Sequence, residues 1–308
     1  MTPSALAVPQ FNYETAFSRN LGWVTEGEQQ ALRTKRIAIG GLGGSGGIHL
    51  ITLARLGIGA FTLADFDTFD LVNFNRQSGA MMSTVGKPKI EVMKNTALDI
   101  NPELDLKLFP QGIRPDNVKE FFTGVDLYVD ALDYFAFETR SLVYKTLAEM
   151  KIPAIIVAPL GIGAALINFL PGQMTFEEYF QWEGVPDFEK GLRFMVGLSP
   201  AMLQRTYLAD ASRVKLGQRA GPSIGGSCQL CAGVAASEAI KILLNRGNVT
   251  CAPHAVQYDS YRNLLTHTWR PWGNSNPLQR LMLWVIRRRL ERGSQLTELP
   301  ANGAGAKS

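Results

Sequence analysis

Between Arg36 and Lys89 the chain carries side chains of the types that handle a nucleotide's phosphates. Gly41-x-Gly43-Gly44-x-Gly46 follows the apolar run Arg36-Ile37-Ala38-Ile39 and precedes a helical pattern. Glycine lets a backbone bend tightly and approach phosphate without a Cβ, and the helix that follows offers free N–H groups and the positive end of its dipole. Asp65 stands nineteen residues past Gly46, at the end of the next apolar run, where an acid holds ribose hydroxyls in dinucleotide-binding folds. Asp67 either orients that loop or assists a metal. Asn73-x-x-Arg76-Gln77 and Gly86-Lys87-Pro88-Lys89 add two spaced cations. A planar guanidinium binds phosphate oxygens in bidentate fashion and stabilises charge building on them. Lys89 falls just after Pro88 at an expected helix start, where a cation opposes the dipole. That is a poor structural choice, and it points the ammonium at a triphosphate. A dinucleotide-holding site needs the glycines and the acid but not the cations, so the combination reads as an ATP-activating site.

A second acidic cluster lies further on. The run Asp126-Leu127-Tyr128-Val129-Asp130 leads into Ala131-Leu132-Asp133. Open α/β proteins place ligands at this carboxyl edge of their strands. Asp133 is better placed than Asp130 to hold Mg²⁺ on phosphate oxygens. It serves equally well as the N-cap of a helix starting near Tyr134 or Phe135.

These residues need a scaffold that alternates strand and helix. Strands are predicted at 36–40, 60–65, 105–109, 126–130 and 154–158, and helices at 45–57, 88–100, 115–122 and 135–150. Asp116 after Pro115 suits the start of the third helix. Residues 152–175 are uncharged but broken by Pro153, Pro159, Gly161, Gly163 and Pro171, which argues against a membrane span. Two buried strands, 154–158 and 164–170, fit better, because central parallel strands are apolar on both faces. The expected organisation is an N-terminal helical arm over 1–35 and a Rossmann-like core over 36–173. An insertion of short helices and loops over the sheet edge follows at 174–222. Residues 223–292 form a closing helix, a hairpin and a basic helix, and 293–308 a disordered tail. The fold class is α/β, with a mostly parallel sheet.

Composition bounds this reading loosely. The 308 residues are 46% hydrophobic and 19% charged, ordinary for a globular protein, and the net charge of +4 suits an anionic ligand as well as RNA. Cys228, Cys231 and Cys251 are too few and too odd in number for a disulfide framework, and Met1–Phe17 lacks the pattern of a signal peptide. Both point to the cytoplasm.

The glycine turn, Asp65-x-Asp67, Asn73-x-x-Arg76-Gln77, Pro88-Lys89, Asn101-Pro102 and the Asp130–Asp133 stretch stand in the order found in one family. The chain resembles the ubiquitin-activating-enzyme-like adenylyltransferases, the ThiF/MoeB superfamily, over residues 13–170 and more weakly over 220–270. The resemblance implies binding of ATP and Mg²⁺. It implies adenylation of the C-terminal carboxylate of a ubiquitin-like or sulfur-carrier protein or peptide, with release of pyrophosphate. Asp65 would bind ribose, Asn73, Arg76 and Lys89 the phosphates, and Asp133 the metal. Ser18-Arg19-Asn20 resembles a Ser-Arg-Gln whose arginine reaches the neighbouring subunit's ATP, so Arg19 implies a homodimer.

Some positions depart from that pattern. Cys228-x-x-Cys231 is the only such pair and supplies half of a tetrahedral set, so no zinc site is expected. Gln218 stands near the place of a thioester-forming cysteine. Cys228 and Cys231 read as small packing residues against the glycine turn, although a helix start lowers some thiol pKa values. Tyr134 replaces an asparagine. The basic helix over 277–292 packs on the body in the simpler reading, and touches an anionic membrane surface in the other. One alternative keeps the fold and acts on tRNA as a threonylcarbamoyl-adenosine dehydratase. Ile58-Gly59-Ala60 and Arg114-Pro115-Asp116-Asn117-Val118 look similar to that branch. A silent nucleotide-binding scaffold and a nicotinamide oxidoreductase are further alternatives; the last leaves Arg76 and Lys89 unexplained.

Overall fold

The protein is represented by a computed structural model that describes residues 10–214 and 221–297. An N-terminal arm of two helices, α1 (Tyr13–Phe17) and α2 (Glu26–Arg33), precedes the sheet. The chain then alternates through β1 (Arg36–Gly40), α3 (Gly44–Arg55), β2 (Ala60–Ala64), α4 (Lys89–Ile100) and β3 (Asp105–Phe109). It continues through α5 (Val118–Phe121), β4 (Leu127–Asp130), α6 (Phe137–Met150), β5 (Ala154–Pro159) and β6 (Gly163–Phe169). Two helices follow, α7 (Phe176–Phe180) and α8 (Asp187–Leu198), then α9 (Gly225–Leu243), the hairpin β7 (His254–Asp259) and β8 (Leu264–Trp269), and α10 (Pro277–Thr297).

The strands form one sheet in the order β3-β2-β1-β4-β5-β6-β7-β8. The first five in that order pair in parallel and the last three antiparallel. The order reverses between β1 and β4, which makes a switch point where the loops on either side diverge. In the register, Gly40 lies opposite both Ala64 and Asp130. The glycine turn, the Asp65 loop and the Ala131–Asp133 loop therefore leave the sheet at one level, side by side.

Alternation along each strand builds two cores. Ile37, Ile39, Leu127, Val129, Ile155 and Val157 face one way, into a layer with α3, α4 and α9. Ala38, Tyr128, Ala154 and Ile156 face the other way. There α6, α7 and α8 bring an aromatic cluster, with Phe137, Phe176, Phe180 and Phe194 all within 6.0 Å of Trp182 between ring centroids. The aromatics of the 174–222 stretch thus pack on a sheet face beside α6.

Several expectations shift. β6 runs antiparallel to β5, because the few residues between them turn the chain back and leave no room for a parallel crossover. It is still buried throughout, with Asn168 its one polar residue, since helices cover both of its faces. The third helix starts at Val118 and not at Pro115, and Asp116 instead pairs with Arg114 at 3.1 Å. α6 starts at Phe137, capped by Ala136, so Asp133 is not its N-cap. α10 continues through Thr297 past the expected tail start at Gly293; residues 298–308, like 1–9 and Gln218, lie outside the described residues. No helix among the described residues is long and apolar enough to cross a membrane.

One buried residue of α3 makes stability pH-dependent. His49 is fully buried, and neither ring nitrogen has a hydrogen-bond partner among the described residues. Burial disfavours the charged ring and holds its pKa down at about 4, against an ordinary 6.5. Above pH 6.5 neither state is protonated. Between there and pH 4 the unfolded chain takes up a proton that the folded chain refuses. Stability should therefore fall across this window by up to about 1.4 kcal/mol per pH unit from this group. Urea unfolding of the parent and His49→Leu at pH 7 and pH 5 tests this. An equal acid loss in both proteins removes His49 as its cause.

Candidate active site

The glycine turn is shaped by close contacts. Gly41 has φ +90°, and a Cβ there would overlap the Ala131 carbonyl oxygen. A Cβ on Gly46 would overlap the carbonyl of Gly41, so the turn folds onto itself and against the β4 loop. Gly43 is the N-cap of α3, and no side chain caps that helix. The first N–H groups of α3 lack intrahelical partners and point out of the carboxyl edge of the sheet. A helix start of this kind is a cradle that can receive an anion.

Asp65 locks this turn. It is buried, its Oδ2 accepts from the Leu42 N–H at 2.6 Å, and its Oδ1 accepts from the Asp67 N–H at 2.8 Å. Burial raises its pKa, while these two hydrogen bonds and Lys89 act against the rise. Lys89 begins α4, as its place after Pro88 suggests. Its buried ammonium lies 3.0 Å from Asp67 Oδ2. The charge that opposes the helix dipole is thus balanced within the chain, and Asp67 is the residue that balances it.

The Asn73–Gln77 segment crosses in front of the cradle. Buried Asn73 accepts from the Asp70 N–H at 3.0 Å and shapes the turn that presents Arg76. The Arg76 methylenes would lie 3.5 and 3.6 Å from a Cβ on Gly44. Arg76 Nη1 donates to the Val72 carbonyl at 3.1 Å and to Asn75 Oδ1 at 3.0 Å; Nε and Nη2 donate to no protein group among the described residues. Part of the fork is therefore available to a ligand over the α3 N-terminus. Gln77 is buried with its Oε1 unpartnered among the described residues, and its Nε2 would lie 3.7 Å from a Cβ on Gly43. Sequence reasoning quoted Gln77 inside a motif without giving it a role.

The β4 loop is held by a residue that sequence reasoning missed. Asp130 and Arg140 form a buried ion pair, with Arg140 Nε 2.8 Å from Asp130 Oδ2. Arg140 Nη2 donates to the carbonyls of Leu132 at 2.9 Å and Asp133 at 3.1 Å, and Nη1 to that of Tyr134 at 3.3 Å. The guanidinium also lies 4.6 Å from the centre of the Phe194 ring. The signal was present: Arg140 stands on the apolar stripe Phe137, Tyr144, Leu147 of α6, where an unpaired cation would be costly. Asp133 itself is exposed, and its Oδ1 accepts from the Phe135 N–H at 2.9 Å. Mg²⁺ is commonly held by one or two carboxylates together with substrate phosphates, and an exposed aspartate on a fixed loop suits that role.

Arg19 is not brought to this site. Its 3₁₀ turn, Ser18–Asn20, is tied to the far end of α3, where Asn20 Nδ2 donates to the Leu56 carbonyl at 3.2 Å. Cys228, at the start of α9, packs on the cradle: its Sγ would lie 3.1 Å from a Cβ on Gly44. Burial raises the pKa of both Cys228 and Cys231. Among the described residues, no three His, Cys, Asp or Glu side chains gather as a metal site.

A model of the ThiF family matches residues 17–280, nearly the whole stretch just described. The chain belongs to the ThiF family. This ThiF-family chain is 34% identical over 140 residues to the tRNA threonylcarbamoyladenosine dehydratase of Bacillus subtilis, covering 45% of this chain and 54% of that protein. It is 35% identical over 105 residues to the molybdopterin-synthase adenylyltransferase of Salmonella typhimurium, covering 34% of this chain and 42% of that protein. The chain thus spans about half the length of the curated relatives it matches. In fold it is similar to Escherichia coli MccB crystallised with ATP, at a TM-score of 0.61 and 20% identity, over 82% of this chain and 70% of that one. The α/β fold with its mostly parallel sheet is that of the family.

Proposed function

We propose that this protein transfers the adenylyl group of ATP to a carboxylate and releases pyrophosphate. The observation that carries the reading is the uncapped glycine-rich start of α3 at the switch point, with Arg76 lying across it. In this reading the α3 N–H groups and Arg76 hold phosphate oxygens, and Asn73 and Gln77 line the approach. Asp65 sets the turn and meets the ribose. Lys89 shares its charge between Asp67 and the polyphosphate. Magnesium, when bound, would neutralise phosphate charge beside Asp133. An acceptor carboxylate oxygen attacks the α-phosphorus, and the bond to the β-phosphate oxygen breaks. The acceptor has no proton to lose, so no general base is required; positioning and charge neutralisation suffice.

The acceptor we favour is the C-terminal carboxylate of a ubiquitin-like or sulfur-carrier protein or peptide. A second reading, an activated carboxylate on a tRNA nucleoside, is favoured by the identity to the Bacillus subtilis dehydratase. In a homodimer, Arg19 would act on the partner copy's site, since its own is at the other end of α3. Exposed Leu71, Val72, Met81 and Met82, on the segment carrying Arg76, offer apolar surface for that contact. We place the protein in the cytoplasm because its cysteines are free.

ATP–pyrophosphate exchange tests these readings. Exchange that depends on a carrier ending in Gly-Gly supports the first acceptor, and dependence on threonylcarbamoyl-modified tRNA supports the second. ATP binding without exchange in either case, or preference for NAD over ATP, overturns adenylyl transfer.

A further inference from the structure

The terminal helix α10 uses only one of its faces to pack. Gln279 is fully buried and its Nε2 donates to the Val196 carbonyl at 3.1 Å. Leu283 is buried against Leu192 and Val196 of α8, with Met282 and Ile286 beside it. Arg287 pairs with Glu189 of α8 at 2.8 Å. This inner face satisfies the packing role expected of the helix.

The outer face has a different composition. Leu278, Leu281 and Trp284 are 56%, 56% and 51% exposed. At three-residue spacing they form a stripe that turns by about 60° per step. Exposed Arg280, Arg288 and Arg289 border or interrupt this stripe, and the Arg288 guanidinium lies 5.2 Å from the centre of the Trp284 ring. No Asp or Glu occurs from Pro277 through Leu290. Two more exposed tryptophans, Trp269 and Trp272, stand in the segment leading into the helix.

We propose that the outer face of α10 docks on an anionic lipid surface. Apolar and aromatic side chains among arginines suit the boundary between headgroups and acyl chains: the stripe enters the apolar layer while the guanidinium groups stay among lipid phosphates. Charge separates this partner from a second copy of the same face. Two such helices would bring arginine against arginine, the first acid of the helix being Glu291, beyond Leu290. Nucleic acid would meet the arginines but leave the leucines in water.

The test is sedimentation of the full chain with vesicles at low salt. Binding to phosphatidylcholine mixed with phosphatidylserine, but not to phosphatidylcholine alone, is the expected result. Added salt should release the protein, since surface charge attraction is screened. Arg288→Gln and Arg289→Gln should each weaken binding about fivefold, and Leu281→Gln with Trp284→Gln by about tenfold or more. These side chains are exposed, so unchanged thermal unfolding verifies that the variants fold. Absence of binding to the mixed vesicles overturns the proposal, as does equal binding to both vesicle types. So does an apolar double variant that leaves vesicle binding intact but dissolves a self-association, or that loses RNA binding instead.

Discussion

Arg76→Ala is expected to lower carrier- or tRNA-dependent ATP–pyrophosphate exchange by about a hundred- to a thousandfold, the usual loss when one charge-stabilising donor leaves a transition state. The fold should survive, because Arg76 is partly exposed and its Nη1 bonds only the neighbouring Val72 and Asn75. Arg76→Lys should recover part of the rate: it restores the charge but not the planar fork that grips two oxygens. Thermal unfolding, which should hardly move, separates this from a folding defect. An alanine variant exchanging at the parent's rate would remove the chemical role assigned to the Asn73–Gln77 crossing.

Arg140→Ala should have the largest effect on stability, a loss of about 3–5 kcal/mol in denaturant unfolding. The change leaves the Asp130 carboxylate buried and uncompensated, and it strips donors from the carbonyls of Leu132, Asp133 and Tyr134. The double replacement Asp130→Leu with Arg140→Met should return more than half of that stability, because neither charge is then buried. Exchange activity should remain low in the double variant, since the carbonyls of the loop carrying Asp133 then lack their Arg140 donors. Full recovery of both stability and exchange would reduce Arg140 to a packing residue.

The parallel half of the fold was legible because it is written in short-range terms. Each strand is a brief apolar run ended by a turn, whereas α5 and α6 start without a side-chain cap and their starts were misplaced. The glycine turn, Asp65 and Arg76 were legible for the same reason: they follow one another in order within a single crossover. What escaped depends on distant parts of the chain. Lys89 read as a cation aimed at a triphosphate, and its pairing with Asp67, twenty-two residues earlier, did not show. Asp130 looked like one more strand residue because Arg140 meets it only after the α6 turn. The direction of β6 was misread because an apolar run does not say which way it points; the brevity of the Leu160–Ile162 turn did. The aromatics of α7 and α8 gave no period long enough to reveal that they floor a sheet face.

The sheet is of two kinds of strand joined at β5, and every side chain assigned to the nucleotide lies on the parallel side of that seam. The hydrogen bonds of those side chains reach none of β6, β7, β8 or α10 among the described residues, so these elements can change through mutation with less disturbance of the cradle than α9, whose Cys228 packs on it. A lineage built on this plan would keep its energy source while exchanging its clients.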